Sequence, residues 1–264
     1  MVSGKQVRLA RLTKKGRMLC IPLDHALTVG PIFGLENPGT IIQKVVAGGA
    51  TCILAHKGTI RSLEAPVPVG MILHISASTS IGVSPNRKVL ISSARHAIRL
   101  GADALSLHIN IGGKEESEML SDLGMVADEC DSLDLPLVAM MYPRGENIKD
   151  ATDPDTVAHV ARIGAESGAD IVKTVYTGNT ETFRQVVRKC PVPVVLAGGS
   201  KMDSEEQILE VASSAVRAGA MGVAFGRNVF QYREPEKIVT ALRRVVIDDE
   251  SVAQAMEGLR SEQA

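Results

Sequence analysis

The sequence predicts a (β/α)8 barrel in a single domain, and three observations carry that expectation. Short, continuously apolar runs recur eight times, roughly 30 residues apart over 264 residues, as parallel strands covered by helices do. The segments between them space their apolar residues helically. A small-residue corner separates helix from strand four times: Gly-Gly-Ala at 48–50, Gly-Ala-Asp at 101–103 and 168–170, and Gly-Ala-Met at 219–221. Glycine there suits a left-handed helix C-terminus. An open doubly wound sheet is the competing fold. Against it, the first strand runs into Asp24-His25 rather than a glycine fingerprint.

The elements follow in order. Met18 to Asp24 reads as the first strand. Pro38 suits a first helical turn, and the apolar spacing continues to Ala47. Thr51 to His56 is the second strand. A short basic-to-acidic segment, Lys57 to Glu64, and a Pro-rich turn follow, so the second unit's helix is short. Val69 to Ile75 is the third strand, and Asn86 to Leu100 predicts an amphipathic helix. Ala104 to Asn110 is the fourth strand, Lys114 to Leu133 a charged helix, and Leu137 to Tyr142 the fifth strand. Asp155 to Ser167 is helical. The sixth strand lies in Ala169 to Gly178, Glu181 to Lys189 is a short helix, and Val192 to Ala197 is the seventh strand. Ser204 to Ala218 is a helix, Gly222 to Phe225 the eighth strand, and Glu236 to Ile247 the closing helix. Residues 1–17 are a basic N-terminal extension and 249–264 a polar helix or tail.

Composition narrows the function. A formal net charge of −1 leaves no basic footprint for nucleic acid. Aromatics at 3%, with no Trp, argue against a stacking surface for bases or sugars. Cys20, Cys52, Cys130 and Cys190 are widely spaced, with no CxxC, and read as buried thiols of a reducing compartment. No apolar run reaches the roughly 18 residues of a membrane span. The basic N-terminus has no apolar segment and cleavage site behind it. The expectation is a cytoplasmic protein acting on small molecules, with no nucleic-acid or membrane partner.

In a barrel the chemistry sits at the C-terminal strand ends. Those ends are Asp24-His25, His56-Lys57, His74, His108 to Asn110, Tyr142-Pro143-Arg144, Lys173, Gly198-Gly199 and Gly226-Arg227. Lys173 stands inside an apolar strand, where burial depresses a lysine pKa and leaves a nucleophilic amine. The competing reading is a lysine paired with a core carboxylate. Asp24 suits proton transfer or a turn cap in equal measure. Tyr142 can serve as acid or base near a cation, or pack with its hydroxyl on backbone. Arg144 is an anion anchor or a solvated loop charge. Gly198-Gly199-Ser200 and Gly226-Arg227-Asn228 follow strands seven and eight, where barrel loops often bind phosphate. His56, His74 and His108 end three strands and can be drawn as a zinc site, although their spacing follows no metal motif. No metal and no cofactor is expected.

These residues resemble the archaeal-type class I aldolases of the DhnA group over nearly the whole chain. The resemblance is carried by Pro22 to His25 with Gly30-Pro31, His74 to Thr79, Met140 to Gly145, Ala169 to Thr174, Ala197 to Gly199 and Gly226 to Asn228. It implies a barrel, a Schiff-base lysine at Lys173, a proton-donor tyrosine at Tyr142 and an acid–base aspartate at Asp24. It implies substrate contacts at His25, Ala26, Leu27, Thr28, Pro143, Arg144, Thr174 and Val175, and phosphate contacts at Gly198, Gly199, Gly226 and Arg227. Within the group the likeness is to the branch that makes 2-amino-3,7-dideoxy-D-threo-hept-6-ulosonate, on a route to 3-dehydroquinate and aromatic amino acids. The implied reaction is a transaldol transfer from 6-deoxy-5-ketofructose 1-phosphate to L-aspartate semialdehyde. The imine would form at the C2 ketone, and hydroxypyruvaldehyde phosphate would leave. A homo-oligomer is also implied. Three departures bear on the substrate: Ala26 where the group usually has glycine, Ser200 where it has proline, and Val175 where it has a polar residue. The alternatives are fructose-1,6-bisphosphate cleavage, joining of dihydroxyacetone phosphate to aspartate semialdehyde, a metal-dependent lyase, and a non-catalytic sugar-phosphate-binding barrel.

Overall fold

In a computed structural model, which describes residues 2–261, eight parallel strands close into a barrel in chain order. They are β1 Met18–Pro22, β2 Cys52–His56, β3 Gly70–His74, β4 Ala104–Ile111, β5 Leu137–Pro143, β6 Ile171–Thr174, β7 Val194–Ala197 and β8 Gly222–Ala224. The pairing of Met18 with Gly222 joins β8 to β1. Strand alternation then sorts the side chains. Cys20, Leu54, Ile72, Met140, Ile171 and Val195 fill the barrel interior. Their neighbours along each strand pack outward against the helices. A parallel strand buried on both faces reads as an unbroken apolar run, which explains the pattern in the sequence.

The N-terminal extension has a structural task. Gly4–Arg11 is a helix with a capping box from Ser3, and Leu12 behind it is fully buried in the interior layer. Its basic side chains bind the helix-to-strand corners at the closed end. Arg11 pairs with Asp103 at 3.1 Å, Lys5 with Asp170 at 3.1 Å, and Arg8 donates to the Ala102 carbonyl at 3.2 Å. The aspartates of the two Gly-Ala-Asp corners also accept from backbone: Asp103 from Met71 N–H and Asp170 from Leu137 N–H. Gly101, Gly168 and Gly219 hold positive φ, from 76° to 97°, the conformation that makes these corners glycine.

The structure departs from expectation between β3 and β4. Residues 86–90 are not helical. Val89–Leu90 pairs with Ser76–Ala77 as a two-stranded ribbon, and Ile91 N–H donates to the Ile75 carbonyl at 2.8 Å. The helix begins only at Ala94, where Ser93 caps it through the His96 amide, and it ends at Arg99. Paired extended backbone has taken the β-branched Val89 and Ile91 out of the helical register. A short helix not foreseen, His25–Val29, follows β1, and the short second helix is Lys57–Arg61. The polar C-terminal helix is Val252–Ser261. Residues 262–264 of the predicted tail, and Met1 of the extension, lie outside the described residues.

Candidate active site

Register fixes the centre of the site. On β5 and β6 Met140 is the partner of Lys173, and on β4 His108 is the partner of Met140. Lys173 therefore points inward and is 7% exposed, with Nζ 3.6 Å from Met140 Sδ. Two residues beyond Met140, Tyr142 also points inward, and its side chain favours the charged form of Lys173. Burial pushes that ammonium's pKa down, but Tyr142, Asp24 and Cys20 together hold it above the ordinary lysine value. This corrects the expectation of a neutral buried amine. Desolvation is present, and the surrounding anion and oxygens outweigh it.

Asp24 stands at the N-cap of His25–Val29 yet makes no capping hydrogen bond. Its carboxylate turns to the barrel mouth instead, 3.4 Å from His25 Nδ1 and 3.9 Å from His74 Nε2. Burial raises its pKa, but the His74, His25, Lys173 and His56 side chains bring it well below the ordinary value, so it is ionised. His74 is buried enough to be pushed down to about 3 and stays neutral. Its Nδ1 is bonded to Ser106 Oγ at 2.9 Å. The remaining strand-end histidines are similarly occupied: His56 Nδ1 bonds the His74 carbonyl at 3.0 Å, and His108 Nε2 bonds Asn110 Oδ1 at 2.7 Å. Among the described residues no three His, Cys, Asp or Glu side chains cluster as metal ligands.

The His108 and Tyr142 rings lie 4.7 Å apart, and the Arg144 guanidinium carbon is 5.8 Å from the Tyr142 ring centre. On the other side of Lys173, the glycine loops after β7 and β8 meet. Arg227 Nη2 donates to the Gly199 carbonyl at 2.7 Å, while Arg227 Nε is buried without a partner. Asn228 ties the loops through the Gly198 and Ser200 carbonyls, both at 3.2 Å. A Cβ on Gly226 would stand 2.6 Å from His25 Cε1, so only glycine lets β8 approach β1 here.

Other expected contacts fall elsewhere. Thr174 is fully buried and donates to the Met141 carbonyl at 2.8 Å, on the strand face opposite Lys173. Pro143 is buried between Tyr142 and Arg144, and Ala26 and Val175 pack on the outer core. The Thr28 carbonyl accepts from Ser80 N–H at 2.8 Å. Leu27 lines a cavity of about 410 Å3 with Asp24, His56 and Lys57. Sequence reasoning missed Lys88, buried just before the ribbon strand, because Asn86 to Leu100 reads as an amphipathic helix on which a lysine is a solvated charge.

Residues 18–232 match the DeoC/LacD family of aldolases. The chain belongs to that family. Among similar proteins, the DeoC/LacD aldolase is 41% identical to 2-amino-3,7-dideoxy-D-threo-hept-6-ulosonate synthase 1 of Archaeoglobus fulgidus, over 96% of this chain and 95% of that protein. It is 38% identical to 2-amino-4,5-dihydroxy-6-oxo-7-(phosphonooxy)heptanoate synthase of Streptomyces griseus, over 92% of this chain and 90% of that one. An archaeal fructose-1,6-bisphosphate aldolase, whose catalytic Lys is covalently bound to the carbinolamine intermediate, superposes with a TM-score of 0.87 at 30% identity. That likeness covers 92% of this chain and 99% of the other. No helix among the described residues is long and apolar enough to cross a membrane.

Proposed function

We propose that this aldolase makes 2-amino-3,7-dideoxy-D-threo-hept-6-ulosonate from 6-deoxy-5-ketofructose 1-phosphate and L-aspartate semialdehyde, through an imine on Lys173. The observation that carries the chemistry is one buried lysine enclosed by Met140, Tyr142 and the ionised Asp24. The substrate pair rests on the A. fulgidus relative.

Carbon bookkeeping fixes which ketone reacts. The product's C7 is a methyl group, so the fragment kept on the enzyme is C4 to C6 of the donor. The imine is then at C5, not at C2 as the resemblance first implied. Lys173 gives up a proton, adds to C5 and loses water. The C3 hydroxyl loses its proton to Asp24 or Tyr142, the C3–C4 bond breaks, and its electron pair becomes the C4=C5 enamine. C1 to C3 depart as hydroxypyruvaldehyde phosphate. The enamine C4 attacks the aldehyde carbon of aspartate semialdehyde, the new alkoxide is protonated, and water releases the seven-carbon product. The protonated imine is the electron sink throughout.

One observation favours a second reading. The glycine loops and the unpartnered Arg227 Nε form an anion cradle beside Lys173. That suits a donor whose phosphate is on the carbon next to the imine. Dihydroxyacetone phosphate is such a donor, and adding it to aspartate semialdehyde gives the product named for the S. griseus relative. Incubating the enzyme with aspartate semialdehyde and each ketose, and weighing the product, separates the two: an unphosphorylated product supports the first reading, and a phosphorylated one replaces it with the second. We extend the proposal to a reducing, cytoplasmic setting, on four buried free thiols, and to a homo-oligomer, on the exposed apolar Ile81 and Val83.

A further inference from the structure

Both relatives' products carry the same end, a 2-amino carboxylate supplied by the acceptor aldehyde, and differ only at C7. A barrel that accepts such an aldehyde needs a cation where the aldehyde's far end lies. The cradle of β7 and β8 is on one side of Lys173. Across the mouth from the cradle stand the ends of β5, β4 and β3, with Tyr142 on β5, and that is the side left open to the incoming aldehyde.

Lys88 stands on that side. It is 8% exposed, one residue before the outer strand of the ribbon. Its ammonium donates to Ser78 Oγ, and to the Pro85 carbonyl at 3.3 Å, both neutral. Among the described residues no carboxylate lies within ion-pair distance of Lys88 or Arg144. A buried cation held only by neutral acceptors is costly unless a ligand completes it. Burial and the facing Arg144 charge push Lys88 down to about 8, against the pull of Asp24. The loop before Lys88 is tied to the acid–base residues. Asn110 Nδ2 donates to the Asn86 carbonyl at 2.6 Å, and Asn110 in turn holds His108 against Tyr142.

We propose that Lys88, together with Arg144, is the anion subsite that binds the carboxylate of the acceptor aldehyde and so selects an amino-acid aldehyde. The inference rests on the shared acceptor of the proposed function and not on which ketose donates.

The test compares L-aspartate semialdehyde with 3-aminopropanal, which lacks the carboxylate, as acceptors for wild type, Lys88→Met and Lys88→Arg. The donor is whichever of 6-deoxy-5-ketofructose 1-phosphate and dihydroxyacetone phosphate leaves a borohydride-stable adduct on wild-type Lys173. Wild type is expected to prefer aspartate semialdehyde at least about tenfold in kcat/KM, a ratio in keeping with one charge-assisted hydrogen bond. Lys88→Met raises KM for aspartate semialdehyde about tenfold or more and leaves 3-aminopropanal within about twofold; Lys88→Arg keeps the preference. A wild type without the preference overturns the proposal, whatever the variants do. So does a Lys88→Met enzyme that loses both aldehydes equally, or neither. Failure of the first donor alone bears on the proposed donor and leaves this comparison to run with the second.

Discussion

Asp24 Oδ2 lies 3.9 Å from His74 Nε2, and no backbone amide of the following helix is bonded to that carboxylate. An aspartate at an N-cap normally accepts from the first turn. Here it has been turned toward the site, where Lys173 adds to its stabilisation as an anion. Asp24→Asn therefore removes a proton acceptor without removing a cap. The expected result is a kcat loss of about 100-fold or more, with Tm moved by only about 2–4 °C, the shift that about 1 kcal/mol gives in a chain of this size. Stopped assays beside thermal melts check both; a large Tm loss with a retained kcat contradicts the assignment.

Tyr142→Phe keeps the ring that packs against His108 and Arg144 and deletes only the hydroxyl. Turnover is expected to fall about 100-fold or more. The donor imine still forms, since Lys173 keeps Met140 and Asp24 as neighbours. Single-turnover trapping set against steady-state rates reads the difference.

His74 gives a pH prediction. Its folded pKa is about 3, against 6.5 for the free side chain. Between those values the unfolded chain binds a proton that the folded chain does not. Stability therefore falls as pH drops through that window, by about 1.4 kcal/mol per pH unit for one such group. His74→Gln, which can still bond Ser106, is expected to flatten the slope of denaturant-derived stability between pH 4 and pH 6 by roughly that amount. An unchanged slope places the titration elsewhere.

Arg227→Ala probes the cradle. With dihydroxyacetone phosphate as ligand, half-saturation is expected to rise about 10- to 100-fold, the loss of one charged hydrogen bond. With 6-deoxy-5-ketofructose 1-phosphate reacting at C5, KM stays within about threefold, because the phosphate then lies on the Arg144 side. A rise for both ketoses puts both phosphates in the cradle and moves the donor's imine to C2.

Much of this architecture was legible. The barrel showed because strands buried on both faces must be apolar throughout, and because polar residues were confined to their C-terminal ends. That confinement singled out Lys173, Tyr142 and Asp24 as candidates, and in the structure the three side chains are near neighbours. The ribbon was not legible. Two paired residues on each side, Ser76–Ala77 and Val89–Leu90, leave no periodicity to read, and the amphipathic spacing of Ala94–Arg99 extended the expected helix over them. Lys88 was hidden for the same reason, since its burial comes from the ribbon rather than from neighbours in sequence. Thr174 was assigned to the substrate with Lys173, yet alternation places it on the other face of the strand. The direction of the Lys173 pKa depended on Tyr142 and Asp24, which only the folded chain brings to it.

The most direct test of the central claim is borohydride reduction in the presence of 6-deoxy-5-ketofructose 1-phosphate, followed by peptide mass spectrometry. The account predicts a reduced adduct on the peptide containing Lys173, of the mass of the unphosphorylated three-carbon C4–C6 fragment once the aldehyde has left, and none in Lys173→Ala. An adduct on another lysine, or full carbon–carbon bond turnover by Lys173→Ala, contradicts it.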